Sequence, residues 1–313
     1  MRSRLRIDKL VVIGVGLIGG SFAAALKRAR AVARVVGVGR TRANLATALR
    51  LGIVDEASRD PAGAVRDADL VLLAVPVGQM AAAMAAIAPA LPSRAVVTDA
   101  GSTKCDVVAN ARRFLGTAFP RFVPAHPIAG TEKSGAAAAS PALFRGRTVI
   151  VTPQPETAAE ALSLVRRAWE ACGARVRRLE AQEHDAILAA VSHLPHVVAF
   201  ALVGMLARRR DPARLFGFSA GGLRDTVRIA GSSPEMWADI CRANREALLA
   251  AIEDYEDELE RVRGAIERGD AATLRRVFER ARAARARWLV KAENGRRGAE
   301  AASHTKTGTR PPE

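Results

Sequence analysis

Five short segments of the sequence carry residue types and spacings that could do chemistry. Gly14-Val-Gly16-Leu17-Ile18-Gly19-Gly-Ser21 follows an apolar run, Lys9–Ile13, and opens a helical pattern. Gly14 permits a tight turn, Gly16 lets the backbone approach a pyrophosphate, and Gly19 permits close helix–strand packing. The helix that begins at Leu17 and Ile18 then presents its N-terminus to the anion. Asp99-Ala-Gly-Ser102-Thr103-Lys104 and His126-Pro-Ile-Ala-Gly130-Thr-Glu132-Lys-Ser-Gly135 each end a later apolar run. Ser192-His193-Leu-Pro195-His196 lies in a helical pattern, and Gly221-Gly-Leu-Arg224-Asp225-Thr-Val-Arg228 precedes Trp237.

The second apolar run ends in Gly39-Arg40-Thr41-Arg42. An NAD site usually carries Asp or Glu here for the ribose 2′-hydroxyl, whereas an arginine can pair with a 2′-phosphate. The residues lean toward NADP, although a solvated Arg40 that tolerates NAD fits the same segment. Pro76, at the end of the third long run, is a further candidate cofactor contact. His126 is the candidate general base, and Pro127 biases it toward extended backbone at a strand end. Ser102 stays free to face a ligand if Thr103 and Asp106 form a capping box for the next helix. Ser192 and His196 are four apart and share a helix face, with His193 about 100° away. Pro195 cannot donate to the Val191 carbonyl, so a kink is expected there. Each of these residues also has a plain structural reading: a loop histidine, an N-cap, helix-packing polar groups, a surface arginine.

The elements that must position these residues follow from periodicity. Apolar runs at Lys9–Gly14, Arg34–Val38, Asp69–Pro76, Ala95–Asp99, Arg121–Ala125, Thr148–Thr152 and Ala174–Leu179 alternate with Ala-rich helical patterns at 18–29, 41–51, 78–90, 103–115 and 157–171. That alternation predicts an α/β fold, an N-terminal Rossmann-type, mainly parallel sheet over residues 1–180. Ligands bind outside the carboxyl ends of such strands, which brings Ser102 and His126 beside the glycine loop. Helical patterns at 181–209, 211–217, 234–263 and 270–291 predict an all-helical second domain over 181–291. Its broad apolar faces, with Leu274–Trp288 as one stripe, are expected to be buried in a homodimer. A tail over 292–313 is expected to be unstructured. The acidic run Glu253–Glu260 reads as a solvated helix face.

Composition narrows the function classes. The 313 residues are 49% hydrophobic and carry a net charge of +16, of which +13 lies in residues 1–180. Forty-two of the 48 basic residues are Arg, a bias that a GC-rich genome would produce. Aromatics are 4% with one Tyr, so the pattern of a nucleic-acid module is missing. Cys105, Cys172 and Cys241 lack metal spacing. The basic N-terminus reads as a strand and turn rather than a signal peptide, and no run of about 18 uninterrupted apolar residues is present. A cytoplasmic protein with no metal, no membrane association and no nucleic-acid partner is expected.

GVGLIGGS, DAGSTK, HPIAGTEKSG and SHLPH occur in that order, followed by LRDTVRIA and Trp237. Together they resemble the prephenate/arogenate dehydrogenase family over about residues 9–290. The departures are Gly39-Arg40, where many members carry an acid, and the Arg-rich tail. The resemblance implies oxidative decarboxylation of prephenate to 4-hydroxyphenylpyruvate, or of arogenate to tyrosine, with NAD or NADP. It implies His126 as base on the ring hydroxyl with Ser102 as its hydroxyl partner. Ser192 and His196 would lie in the cleft, His196 near nicotinamide and substrate. Arg228 would hold a substrate carboxylate, with Glu132, Gly221 and Trp237 nearby. Two competing classes remain: another two-domain NAD(P) oxidoreductase of the β-hydroxyacid dehydrogenase or imine reductase type, and a nucleotide-binding regulator without turnover. The first usually relies on a catalytic Lys or lacks HPIAGTEKSG; the second leaves four polar motifs without a role.

Overall fold

The computed structural model describes residues 5–131 and 133–304, with side chains described as far as Val290. Glu132 lies outside the described residues. The chain begins β1 (Ile7–Ile13), α1 (Leu17–Arg28), β2 (Val32–Val38), α2 (Arg42–Arg50), β3 (Glu56–Ser58), α3 (Pro61–Val65), β4 (Leu70–Leu73), α4 (Met80–Ile87), β5 (Val96–Asp99), α5 (Cys105–Leu115) and β6 (Phe122–Val123). The six strands form one parallel sheet in the order β3-β2-β1-β4-β5-β6. The order reverses between β1 and β4, the crevice where α/β sheets bind dinucleotides. β1 is apolar except at Asp8 and Lys9 because both faces are covered. Phe22, Trp169 and Phe144 fill one side and Met80, Met84, Ile87 and Val107 the other. Trp169 is fully buried, its ring 4.5 Å from Phe22 and 5.1 Å from Phe144.

The expected single sheet is two. At Pro124 the chain leaves the large sheet and begins a second: β7 (Ala125–Pro127), β8 (Thr148–Val151) and, after α6 (Ala159–Ala171), β9 (Arg175–Arg178). β7 runs antiparallel to β8, with His126 opposite Ile150. Sequence periodicity could not register this, because the short runs on either side of Pro124 read as one strand.

From residue 181 the chain is helical: α7 (Ala181–Leu188), a π turn (Ala189–His193), α8 (Leu194–Ala207), α9 (Pro212–Gly217), α10 (Gly221–Val227), α11 (Pro234–Ala243), α12 (Arg245–Glu267) and α13 (Ala271–His304). The π turn sits where Pro195 lacks its donor, so the expected kink takes that form. The helical pattern 234–263 is broken at Asn244, whose side chain leaves the helix surface for a bond to Asp185. Against the expectation of an unstructured tail over 292–313, α13 continues to His304, the Ala and Glu around the two glycines being good helix formers. Residues 305–313 lie outside the described residues. By contacts the compact units are Met1–Leu249 and Ala250–Glu313; residue 180, where the strands end, falls within the first of them.

In the second unit the acidic run is exposed, and Glu258 and Glu260 pair with Arg261 and Arg263 at 3.0 and 2.6 Å. Phe278 and Trp288 of the apolar stripe are exposed in the single chain. The helical stretch 181–207 is, against expectation, long and apolar enough to cross a membrane by length and composition. Its most apolar window has mean hydropathy 2.0 and is 22% buried.

Candidate active site

The glycine loop between β1 and α1 forms one wall of a cleft of about 860 Å³. Gly14, Gly16, Arg40 and Pro76 line it, joined by Thr41, Asn44, Arg59, Ser134 and Gly135. Gly14 has φ +97°, and a Cβ there would fall 2.3 Å from the Ala74 carbonyl oxygen. At Gly16 a Cβ would meet nothing within 4 Å, so the backbone there faces open space. Gly16 is also the N-cap of α1 and has no side chain to cap it, which leaves the first-turn N–H groups of Leu17, Ile18 and Gly19 to a ligand or water. A bare backbone cradle on a positive helix end suits a pyrophosphate. Leu17, Ile18 and Gly19 do not line the cleft; Gly19 packs beneath it, where a Cβ would meet the Gly14 carbonyl oxygen. No acid stands at the end of β2: the chain runs Val38, Gly39 and an exposed Arg40.

The second cluster is built around β7 and α7. His126 Nδ1 lies 2.9 Å from His184 Nε2, and His184 Nδ1 lies 2.7 Å from Asp185 Oδ1. A carboxylate only accepts, so the network assigns the Nδ1–H tautomer to His184 and, in turn, to His126. That leaves the His126 Nε2 lone pair open for a proton. Asp185 also accepts from the backbone N–H groups of Lys104 and Cys105, both at 2.8 Å, and so caps α5 from another helix. The expected Thr103–Asp106 capping box does not form; Thr103 Oγ1 and Asp106 Oδ1 are buried without hydrogen-bond partners. Ser102 remains half-buried in the loop before α5, uninvolved in the cap.

Lys104 is fully buried; its ammonium donates to Asp99 and, at 2.9 Å, to the Ala125 carbonyl. Asp99 accepts from the Ala125 N–H at 2.9 Å. These bonds clamp the residue before His126 on both its backbone groups. Burial, with His184, Lys104 and His193 adding to it, holds the His126 pKa well below the usual histidine range, so His126 is an unprotonated base at neutral pH.

His193, Asn244, His196 and Trp237 complete the cluster. Asn244 Nδ2 donates to the Asp185 carbonyl at 2.8 Å and to His193 Nδ1 at 3.0 Å. Burial pushes the His193 pKa down to about 4. His196 Nδ1 donates to the Ser192 carbonyl at 2.8 Å, leaving Nε2 free, and its ring stacks on Trp237 at 3.7 Å. Burial lowers the His196 pKa, and the charge of Arg228 adds to the lowering. Arg228 is exposed in the single chain rather than sheltered as a buried carboxylate anchor would be, and Gly221, at the start of α10, is exposed too. Ser192 is half-buried within the π turn.

His184, Asp185 and Asn244 were not singled out from sequence. The adjacent His-Asp pair, buried in the pattern of a helix that is otherwise exposed at Gln182 and Glu183, was the signal that could have found His184 and Asp185. Among the described residues no group of three or more His, Cys, Asp or Glu could hold a metal ion.

A dinucleotide crevice next to a histidine base and an aromatic-backed imidazole defines a dinucleotide-dependent oxidoreductase. Comparison with known proteins places it more closely. Residues 22–178 match the nucleotide-binding domain of prephenate dehydrogenase and residues 180–280 its dimerization domain. The chain belongs to the prephenate dehydrogenase family. It is 37% identical to a cyclohexadienyl dehydrogenase of Zymomonas mobilis, over 88% of this chain and 94% of that one. It is 34% identical to the prephenate dehydrogenase of Bacillus subtilis, over 88% of this chain and 74% of that one. Among solved structures it is similar to a prephenate dehydrogenase from A. aeolicus in complex with hydroxyphenyl propionate and NAD+. That match has a TM-score of 0.83 at 37% identity, over 88% of this chain and 97% of the other.

Proposed function

We propose that this chain catalyses the NAD(P)-dependent oxidative decarboxylation of prephenate to 4-hydroxyphenylpyruvate, or of arogenate to tyrosine. The observation that carries the reading is the Asp185–His184–His126 chain, whose last imidazole begins the loop that brings Ser134 and Gly135 into the dinucleotide cleft. The backbone of residues 14–19 would hold the pyrophosphate, and Arg40 would meet a 2′-phosphate, which favours NADP over NAD. The bound nicotinamide supplies the hydride acceptor. His126 Nε2 takes the hydroxyl proton as the carbinol C–H bond gives up its electron pair, with Ser102 sharing the hydroxyl. The ring carboxylate then leaves as CO₂, its bonding pair passes into the aromatic ring, and the proton on His126 returns to the phenolate oxygen. One hydride and one CO₂ leave the substrate and no net proton is released.

His196, fixed by Ser192 and Trp237, packs against the reacting ring, and Arg228 holds a substrate carboxylate. Gly221 would belong to the same subsite. The exposed apolar residues Ile187, Val191, Leu215 and Phe218 support a homodimer in which a second copy covers the 181–207 helix, rather than a membrane span. In such a dimer Arg228 would be more enclosed than it is in one chain. Residues 1–180 would serve the dinucleotide, and 181–291 the substrate and the dimer. Three free cysteines suit a reducing cytoplasm.

The test is a steady-state assay that crosses prephenate and arogenate with NAD and NADP while following CO₂ release. Stoichiometric CO₂ and reduced cofactor support the reading. Cofactor binding without turnover of either substrate overturns it.

A further inference from the structure

Asn44 is the one side chain in the dinucleotide cleft for which bonds to two distant segments are described. Its Nδ2 donates to the Val15 carbonyl at 2.7 Å, and its Oδ1 accepts from the Ala136 N–H at 2.8 Å. Val15 lies between Gly14 and Gly16, in the loop that would cradle a pyrophosphate. Ala136 ends the loop that starts at His126 and carries Ser134 and Gly135 into the same cleft. Gly135 has φ +81°, and a Cβ there would lie 3.3 Å from Asn44 Oδ1, so the loop backbone rests directly on this amide. Four residues later Ser140 N–H donates to Ser21 Oγ at 2.9 Å, which pins the far end of the loop to α1. The loop therefore hangs between the base at one end and the cofactor helix at the other, and Asn44 is its intermediate support.

From this we infer that Asn44 is a positioning residue that couples occupancy of the dinucleotide cleft to the backbone at Gly135 and Ala136, and through it to the substrate side of the site. A pyrophosphate on residues 14–16 fixes the Val15 carbonyl. That orients the Asn44 amide, and the amide sets where Gly135 and Ala136 sit relative to His126. Bound dinucleotide thereby tightens the binding of the substrate's ring and side chain, and by linkage the substrate tightens the dinucleotide by the same factor. An amide is needed because the support must donate at one end and accept at the other; no shorter or singly functional side chain reaches both.

The inference rests on the function proposed above, and turnover by the wild-type chain tests that reading on its own. The linkage is read at equilibrium with oxidised cofactor and 4-hydroxyphenylpyruvate, a pair that does not react. The cofactor Kd is measured by tryptophan fluorescence with and without saturating 4-hydroxyphenylpyruvate, for wild type, Asn44→Ala and the isosteric Asn44→Asp. Wild type is expected to bind cofactor at least fivefold more tightly with the probe present, the lower edge of ordinary coupling factors. Both variants are expected to bring the linkage factor, the ratio of the two Kd values measured for that same variant, below about two, whatever their cofactor affinity without probe. Asn44→Asp keeps the acceptor but sets a carboxylate against the Val15 carbonyl, so it should lose the linkage while folding as wild type does. A wild type that turns over yet shows no linkage, or an Asn44→Asp variant that keeps the wild-type factor, overturns the coupling and leaves the reaction assignment standing.

Discussion

Replacing Asp185 with Asn tests the histidine chain at the point farthest from any substrate. The change is isosteric and leaves His126 and His184 in place. It removes the negative charge that accepts from His184 at 2.7 Å and from the Lys104 and Cys105 N–H groups at 2.8 Å. Burial works to raise the Asp185 pKa, but these hydrogen bonds outweigh it and hold the carboxyl below its ordinary value. The side chain is thus an anion throughout the working pH range.

When His126 takes a proton, the imidazolium is stabilised through His184 by that anion. A hydrogen bond to a charged group contributes about 1.5–3 kcal/mol. At 1.36 kcal/mol per tenfold in rate, its loss lowers kcat by about 10- to 150-fold. KM should stay within about twofold, because Asp185 touches no substrate. His126→Asn alone should cost about 10²–10⁴-fold in kcat. The informative measurement is the double variant in a full cycle, assayed below the melting transition. Since Asp185 acts through His126, the double variant should be no slower than His126→Asn by more than about twofold. If instead the two losses multiply, the chain is not a unit and Asp185 serves α5 alone. The stability cost of weakening a buried cap, about 1–3 kcal/mol, is checked separately by denaturant unfolding.

Other consequences can be checked more briefly. Arg40→Ala should weaken NADP by about tenfold or more and NAD by less than about twofold; equal losses would mean that Arg40 does not read the 2′-phosphate. Arg228→Gln should raise KM by about tenfold with little change in kcat, the signature of uniform binding, and a selective fall in kcat would contradict its role as an anchor. His193, at about 4 in the fold against 6.5 unfolded, contributes stability that is fully present above pH 6.5 and is lost as pH falls toward 4. The loss amounts to about 3 kcal/mol, so His193→Gln should flatten the pH dependence of unfolding in that window, and an unchanged slope would refute the burial argument. Sedimentation equilibrium should give twice the 33.2 kDa chain mass, whereas a fully active monomer at micromolar concentration would rule out the covered helix.

How legible the site was in the sequence depends on the range of each interaction. The glycine loop was legible because its requirements are local: turn, close approach and helix end fall within eight residues. Arg40 was placed correctly at the end of β2 for the same reason. His126 stood out by type, yet its setting did not, because the switch from one sheet to the other at Pro124 depends on pairing with β8, more than 20 residues away. The capping of α5 was misjudged on local grounds: Thr103 and Asp106 have the right spacing, but Asp185, about 80 residues on, takes the N–H groups instead. Arg228, expected to hold a substrate carboxylate, is exposed in the single chain, and exposure is set by packing that no local pattern records. The helix 181–207 reads as apolar, but its polar work is done by four side chains that periodicity averages away.

Six lysines remain in a chain with 42 arginines. Among the described residues, three of them make specific side-chain bonds: Lys104 to Asp99 and the Ala125 carbonyl, Lys9 to Asp67, and Lys27 to Asp55 and the Gly52 carbonyl. A guanidinium is broader and planar and needs room for five donors, whereas an ammonium is a compact point charge. At Lys104 there is no such room. Drift of base composition toward arginine codons can recolour a protein's surface with little effect on its fold. It meets resistance at a closed internal socket cut to the size of one nitrogen. Among the described lysines Lys104 marks such a socket most plainly, fully buried beneath the strand that carries His126, whereas Lys133 lies at the surface.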